Sequence, residues 1–361
     1  MPDAVLLRDL RAIPVIAPLP VPLKTASGLI AQSPLVLVDV ETTCGITGHA
    51  YVFVYTPLAL RPVVQVIESL AAEMRGTSVA PEALAQGWAA RFRLLGTAGL
   101  LGMALAGVEM AAWDVLAKQA GLPLYSLLGG GPRPVKAYAS LGLDGIDPGQ
   151  RLASDAVARG FRAVKIKLGY ATLAQDLEVA RAIRDAVGPT VDLMVDYNQS
   201  LSVPEAIRRG RALDNEGLAW IEEPTLQDDY AGHARIAAAV ATPIQLGENW
   251  FGLSEMTKAL DANACDLVMP DIMKMGGIAA WRGAATLAQS RSLPISSHLF
   301  HEVTAHLMTV APTADFLEVM DLASPVLAAP MQFEAGYAVL PTVPGNGLVW
   351  DAEAVARFRV A

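Results

Sequence analysis

Carboxylates recur down the middle of the chain, each at the end of a short apolar run. VDLMVD ends at Asp196, LAWIEE at Glu222 and Glu223, PIQLGE at Glu248 and DLVMPD at Asp271. The steps from Asp196 to Glu222, to Glu248 and to Asp271 are 26, 26 and 23 residues. Two further runs keep the rhythm, LPISSH ending at His298 and DFLEVMD carrying Glu318 and Asp321. If the ends of these runs converge, Asp196, Glu222 and Glu248 repel one another unless a cation sits among them. An all-oxygen set of three suits Mg²⁺, or Mn²⁺ as a substitute, and leaves coordination positions for water and substrate.

Lys165-Ile166-Lys167 ends another run. On a strand the two ammonium groups share one side and Ile166 takes the other. Ile166 suits a helix layer, which turns both lysines toward the carboxylates. Two adjacent ammoniums and a divalent cation destabilise the charged form, so a lysine there is expected to have a lowered pKa and to act as a general base near neutral pH. Asp271 and His298 end neighbouring runs, close enough for the carboxylate to orient the imidazole and raise its basicity. Glu318, opposite the metal ligands, is expected to stay protonated and donate to a substrate carboxylate. Strand register leaves Asp321 open as the site residue of that run. His49, His233, His301 and His306 have no chemical context in the sequence.

A period of this size holds one buried strand, one helix and two loops, the repeat of a parallel βα barrel whose strand ends meet at one mouth. Eight strand candidates follow from residue 131 onward: Val135–Ser140, Ala163–Lys167, Leu193–Asp196, Ala219–Glu222, Ile244–Glu248, Leu267–Asp271, Ile295–His298 and Phe316–Met320. The helical stretches between them include AQDLEVARAIRDAVG and VPEAIRRGRALDNEG, each closing on Gly. LYSLLGGGPRPVKAYAS, with its glycines and prolines, marks the barrel's start. Residues 1-130 are read as an α+β cap, an antiparallel sheet to about residue 55 and then three helical stretches. Within that sheet VPLKTASGLIAQS has the composition of a mobile loop. Residues 131-325 form the barrel, and 326-361 return to the cap.

The chain is 53% hydrophobic and 17% charged, as a parallel sheet wrapped in helices requires. A net charge of -9 without a Lys/Arg cluster argues against a nucleic-acid partner. GTAGLLGMALAGVEMAAWDVLA is interrupted by Glu109 and Asp114 and reads as a helix buried between layers, so no membrane partner is expected. The N-terminus does not read as a signal peptide, and two unrelated cysteines, Cys44 and Cys265, suit a reducing cytoplasm. No His-x-His follows the first barrel strand, which argues against a zinc hydrolase.

The series Lys165-x-Lys167, Asp196-x-Asn198, Glu222-Glu223-Pro224, Gly247-Glu248-Asn249, Asp271 and His298 resembles the mandelate racemase group of the enolase superfamily. The resemblance extends over essentially the whole chain, through AAWDVLAKQAGLPLYSLLGG, VDYNQSLSVP, WIEEPTLQDDY, GENW and SSHLF. It implies a modified TIM barrel, (β/α)₇β, under an α+β capping domain, with one Mg²⁺ held by Asp196, Glu222 and Glu248. It implies Lys167 as the acid/base for one enantiomer and His298 with Asp271 for the other. Lys165 would polarise a substrate carboxylate, Glu318 would hydrogen-bond it, and Asn198 and Ser140 match polar substrate contacts. In the cap, Leu23, Ser27 and Ile30 match one substrate-covering segment and Phe53 and Tyr55 a second. Ser27 and the neighbouring Lys24 make this wall more polar than an aryl substrate asks for. The activity implied is racemisation of mandelate or a close 2-hydroxy acid through an enediolate, with an acid-sugar dehydratase as the alternative and a homo-oligomer, dimer or octamer, as the assembly.

Overall fold

The computed structural model describes residues 5–25 and 28–360 of the 361. Strands β1 (Leu7–Thr25), β2 (Gly28–Thr42) and β3 (Thr47–Phe53) pair antiparallel in that order. In the segment expected as a mobile loop the described residues pair as strand, Leu23 with Ile30, Lys24 with Leu29 and Thr25 with Gly28. The ladder shifts register between Leu7 and Asp9 and is interrupted between Pro18 and Leu23. Pro18, Pro20 and Pro22 have no N–H to donate there, and pairing resumes once they are passed.

Three helices, Leu60–Met74, Pro81–Arg91 and Leu100–Gln119, complete the cap. Leu100–Gln119 is long and apolar enough to cross a membrane, yet most of it is buried within the protein. Its close fit is visible at Gly48 of β3, where a Cβ would lie 2.1 Å from the Ala111 carbonyl oxygen. Alternation along β3 therefore gives Gly48, Ala50 and Val52 to the helices. His49, Tyr51 and Phe53 face the other way, where Tyr51 reaches the barrel and His49 the C-terminal tail. Glu109 accepts from the Ile278 and Ala279 amides at 2.7 and 2.9 Å, so the cap supplies the N-terminal cap of a barrel helix, Ile278–Ser290.

The barrel strands are β4 (Val135–Ser140), β5 (Ala163–Lys167), β6 (Asp192–Asp196), β7 (Leu218–Glu222), β8 (Ile244–Leu246), β9 (Leu267–Val268), β10 (Ile295–Ser297) and β11 (Ala314–Val319). They run parallel in sequence order, and β11 closes on β4. Helices follow all but the last, which makes the barrel (β/α)₇β. β8 and β9 end short of Glu248 and Asp271, because Gly247 turns at φ +137° and Pro270 cannot donate. Both acids therefore stand on the mouth loops. A hairpin of β12 (Gln332–Glu334) and β13 (Tyr337–Val339) pairs β13 antiparallel with the start of β4. Inside the barrel, Tyr138, Met194, Trp220 and Phe316 form an apolar floor.

The tail returns to the cap: Arg359 bridges to Val15, and Trp350 donates to Asp39 at 2.7 Å. His306 is fully buried at this junction, accepting from the Tyr125 amide on Nδ1 (3.2 Å) and facing the Asn346 carbonyl through Nε2 (3.1 Å). A proton on Nδ1 would confront the Tyr125 N–H, and burial with little compensation holds the imidazole down at about 4. The folded pKa lies below the unfolded value of 6.5, so the unfolded chain takes up the proton first and stability falls as pH drops from 6.5 toward 4. We expect about 2 kcal/mol of this loss between pH 7 and pH 5. Urea unfolding of wild type and His306→Gln at both pH values checks it: the variant should lose clearly less, and equal losses would place the acid sensitivity elsewhere.

Candidate active site

Parallel pairing sets Lys167 beside Asp196 and Asp196 beside Glu222, so β5, β6 and β7 deliver their last residues side by side. One carboxylate oxygen each from Asp196, Glu222 and Glu248 lies within 4.8 Å of the others. Oxygens bound to Mg²⁺ at about 2.0–2.1 Å sit roughly 3–4 Å apart, so small rotations complete the set. Asp196 and Glu222 are fully buried, and the Glu248 side chain is 12% exposed. Burial pushes Glu222 up to about 8; Lys165 pulls it down, while Asp196, Glu248 and Glu318 push it up further. A divalent cation removes that penalty. Geometry, donor type and charge all fit Mg²⁺.

Lys165 and Lys167 face inward as alternation requires, each buried: Lys165 Nζ lies 2.5 Å from Glu222 and 2.8 Å from Glu318, and Lys167 Nζ lies 2.5 Å from Asp196. The expected lowering of their pKa does not hold in the protein alone. Burial would lower both, but Glu222 and Glu318 hold Lys165 well above its ordinary value and Asp196 raises Lys167. A cation that compensates these carboxylates weakens the attraction that raises the lysines.

His298 Nδ1 lies 2.7 Å from Asp271, and the two residues pair as a parallel bridge. Its Nε2 faces Glu248 at 3.3 Å and Glu318 at 3.7 Å. Burial works against its charge, yet Glu248, Glu318 and Asp271 raise its pKa. The Asp271 backbone and side chain also open the short helix Ile272–Met275, whose Lys274 amide donates to Asp271 at 2.8 Å, so this carboxylate is fixed.

Glu318 is the inward residue of β11, while Asp321 lies beyond it and binds Ser324 in a turn. Its expected protonated state is corrected by its neighbours. Against the effect of burial, Lys165 and His298 hold the carboxyl well below the usual range, and the Leu299 amide donates to it at 3.1 Å. In this arrangement Glu318 is an anion, paired with Lys165.

Asn198 adopts φ +43° and donates to Asp196 through both its amide (2.6 Å) and its side chain (2.8 Å). Ser140 ends β4 beside Lys165. Leu23 and Ser140 line a cavity of about 100 Å³ between the cap hairpin and the ends of β4 and β11. Ile30 pairs with Leu23, and Ser27 lies outside the described residues. Phe53 and Tyr55 pack at 4.5 Å; Tyr55 is 38% exposed, and Lys274 Nζ sits 4.7 Å from its ring centre.

Other contributors escaped the sequence reading. Asn249 donates to Glu223 (2.7 Å) and Glu248 (3.1 Å), and Lys274 donates to Asn249 at 2.6 Å over the Tyr55 ring. Glu223, buried at φ +36°, is pushed well up by burial, Glu248 and Asp196. Trp220 Nε1 donates to Glu222 Oε2 at 3.1 Å and Gln245 Nε2 approaches it at 3.4 Å. Trp220 was findable: it stands two residues before Glu222 and so shares its face. Trp220→Phe keeps the floor packed and removes the donor, so Mg²⁺ affinity should drop about 10- to 100-fold in calorimetric titration. Unchanged affinity would mean the ligand orients without it.

Residues 8–129 match the family Mandelate racemase / muconate lactonizing enzyme, N-terminal domain, and residues 150–355 the family Enolase C-terminal domain-like. A crystal structure of an enolase from Bradyrhizobium, complexed with magnesium and mandelic acid, is similar at a TM-score of 0.96 and 42% identity, covering 100% of both chains. The 3,6-anhydro-alpha-L-galactonate cycloisomerase of Streptomyces coelicolor is 32% identical over 95% of this chain and 96% of its own. The L-talarate/galactarate dehydratase of Salmonella typhimurium is 32% identical over 72% of this chain and 66% of its own.

Proposed function

The chain belongs to the mandelate racemase / muconate lactonizing enzyme family of the enolase superfamily, with Mg²⁺ as its cofactor, and on that premise we propose that it racemises mandelate or a close 2-hydroxy acid by two-base proton transfer. One observation carries this reading. The carboxylate triad comes from β6, β7 and the loop after β8, and it is flanked by Lys167 on β5 at Asp196 and by His298 after β10 at Glu248. A carboxylate substrate at the triad thus has one acid/base group on each side.

A proton α to a carboxylate is a weak acid because its removal leaves a dianionic enediolate. Mg²⁺ bound by Asp196, Glu222 and Glu248 supplies positive charge beside that dianion. Lys165, seated between Glu222 and Glu318, adds an ammonium at the same end. Lys167 removes the α-proton of one enantiomer and His298 redelivers a proton to the other face, its Nε2 serving while Asp271 holds Nδ1. Reversal uses the same groups in exchanged roles. Leu23 and Ile30, paired on the cap hairpin, and Phe53 with Tyr55 at the end of β3 would cover the substrate's side chain.

A second reading, dehydration of an acid sugar, is favoured by the exposed Lys24 on the cap hairpin and by the acid-sugar relatives. The same enediolate expels a β-hydroxyl with His298 as the general acid. The test is incubation with Mg²⁺ and a panel of chiral 2-hydroxy acids and aldonates in D₂O, followed by NMR. α-Deuteration with loss of optical purity supports racemisation, and accumulation of a 2-keto-3-deoxy acid supports dehydration. Folded, metal-loaded protein that exchanges no substrate would sink both. A homo-oligomer in the cytoplasm is part of the proposal, checked by light scattering for the assembly and by fractionation for the compartment.

A further inference from the structure

The turn that carries His298 is strained. Leu299 and Phe300 follow it, neither is glycine, and both are left-handed at φ +51° and +48°. Residues other than glycine are strained in that region, so surrounding contacts must hold the turn. Within the barrel, the Leu299 amide donates to Glu318 and Thr304 Oγ1 donates to the Leu299 and Phe300 carbonyls. The Val303 and Thr304 amides also donate to the Phe300 carbonyl, both at 2.9 Å, and Phe333 of β12 packs on His301 at 5.7 Å. The cap adds two further contacts. The Tyr51 ring stacks on Phe300 at 5.0 Å and 28°, and its hydroxyl donates to Glu302 Oε2 at 2.8 Å. Both partners are buried, and Glu302 Oε1 lies 3.3 Å from His301 Nε2. Burial and the Glu302 charge raise the Tyr51 phenol well above its ordinary value, so it stays a donor.

Tyr51 and Glu302 touch Phe300, His301 and each other, on the far side of the turn from the Asp271–His298 hydrogen bond in sequence. We propose that the Tyr51–Glu302 hydrogen bond is a positioning device for His298, by which the cap fixes the strained turn and aims the imidazole at one face of the substrate. This rests on the two-base reading above. Lys167 sits on β5, in a regular ladder with β6, and does not depend on the turn. The device therefore acts on one half of the reaction.

The test uses the full-length, Mg²⁺-loaded protein with (R)- and (S)-mandelate in D₂O, the His298-facing enantiomer being the one that loses exchange in His298→Asn. Tyr51→Phe keeps the stacked ring and loses only the hydroxyl, and Glu302→Leu removes the acceptor at similar size. In each, exchange at the His298 face should fall about tenfold or more while the Lys167 face changes by less than about twofold. Glu302→Gln retains an acceptor and should restore most of the lost exchange. Amide hydrogen exchange of the peptide spanning 298–302 should quicken in Tyr51→Phe and Glu302→Leu, with the peptide over β5 unchanged. Equal falls at both faces, or no fall, would overturn the proposal. Wild-type protein that exchanges neither enantiomer would defeat the racemase reading instead, and amide exchange then decides alone: unaltered protection at 298–302 overturns the device. If Tyr51→Phe does not fold, the two Glu302 variants carry the same comparison.

Discussion

His298→Asn should abolish turnover of both mandelate enantiomers yet leave α-hydrogen exchange intact in the one that faces Lys167. Racemisation needs a base on one face and an acid on the other, so removing either stops net conversion in both directions. Exchange needs only one base that returns solvent deuterium to the face it took the proton from. General acid–base groups contribute about 10²- to 10⁴-fold, so the lost half should fall at least that far. The substitution is mild for the fold. Asp271 keeps its Lys274 amide at 2.8 Å, and the turn keeps the Leu299 amide on Glu318. Polarimetry reports conversion and ¹H NMR in D₂O reports exchange. Exchange lost in both enantiomers, with the fold and Mg²⁺ binding intact, would contradict the two-base assignment.

Why was so much of this site legible in one dimension? A parallel barrel converts position in sequence into position around a ring, and strand alternation converts parity into direction. Asp196 and Glu222 needed only the first rule, and Lys165 with Lys167 only the second. Where a ladder stops, the rules stop too. Glu248 and Asp271 stand two and three residues beyond their strands, placed by Gly247 and Pro270. Contacts that join distant segments leave no periodic trace. Tyr51 meets Glu302 across 251 positions and Glu109 caps Ile278 across 169, so neither could be paired from spacing. Charge states were the least legible. Glu318 placed among carboxylates should be protonated, and Lys165 at 2.8 Å makes it an anion. The residues flanking positions 26 and 27 differ from expectation for a related reason: their composition suits a loop, but pairing with a partner strand decides the conformation.

Chelation should do what His298→Asn does not, and silence exchange at both faces together. Lys167 and His298 each act on one face, whereas the cation that the triad would hold offsets the charge of the substrate carboxylate that both halves share. Without a divalent cation the ammoniums of Lys165 and Lys167 remain paired to Glu222 and Asp196, and both lysines hold their protons more tightly. Lys167 then ceases to be a base near neutral pH. Exchange after EDTA should fall to background for both enantiomers, and Mg²⁺ should return both in parallel. Stability changes with it, because the ion binds the folded chain and its ligands are scattered along the unfolded one. At a hundredfold excess over Kd the gain is about 2.7 kcal/mol, a rise in Tm of several degrees for a chain this long. Differential scanning fluorimetry across a Mg²⁺ series reads that shift while NMR reads exchange. Exchange that survives exhaustive chelation, or one face lost before the other, would separate the triad from the chemistry and return Asp196, Glu222 and Glu248 to a purely structural role.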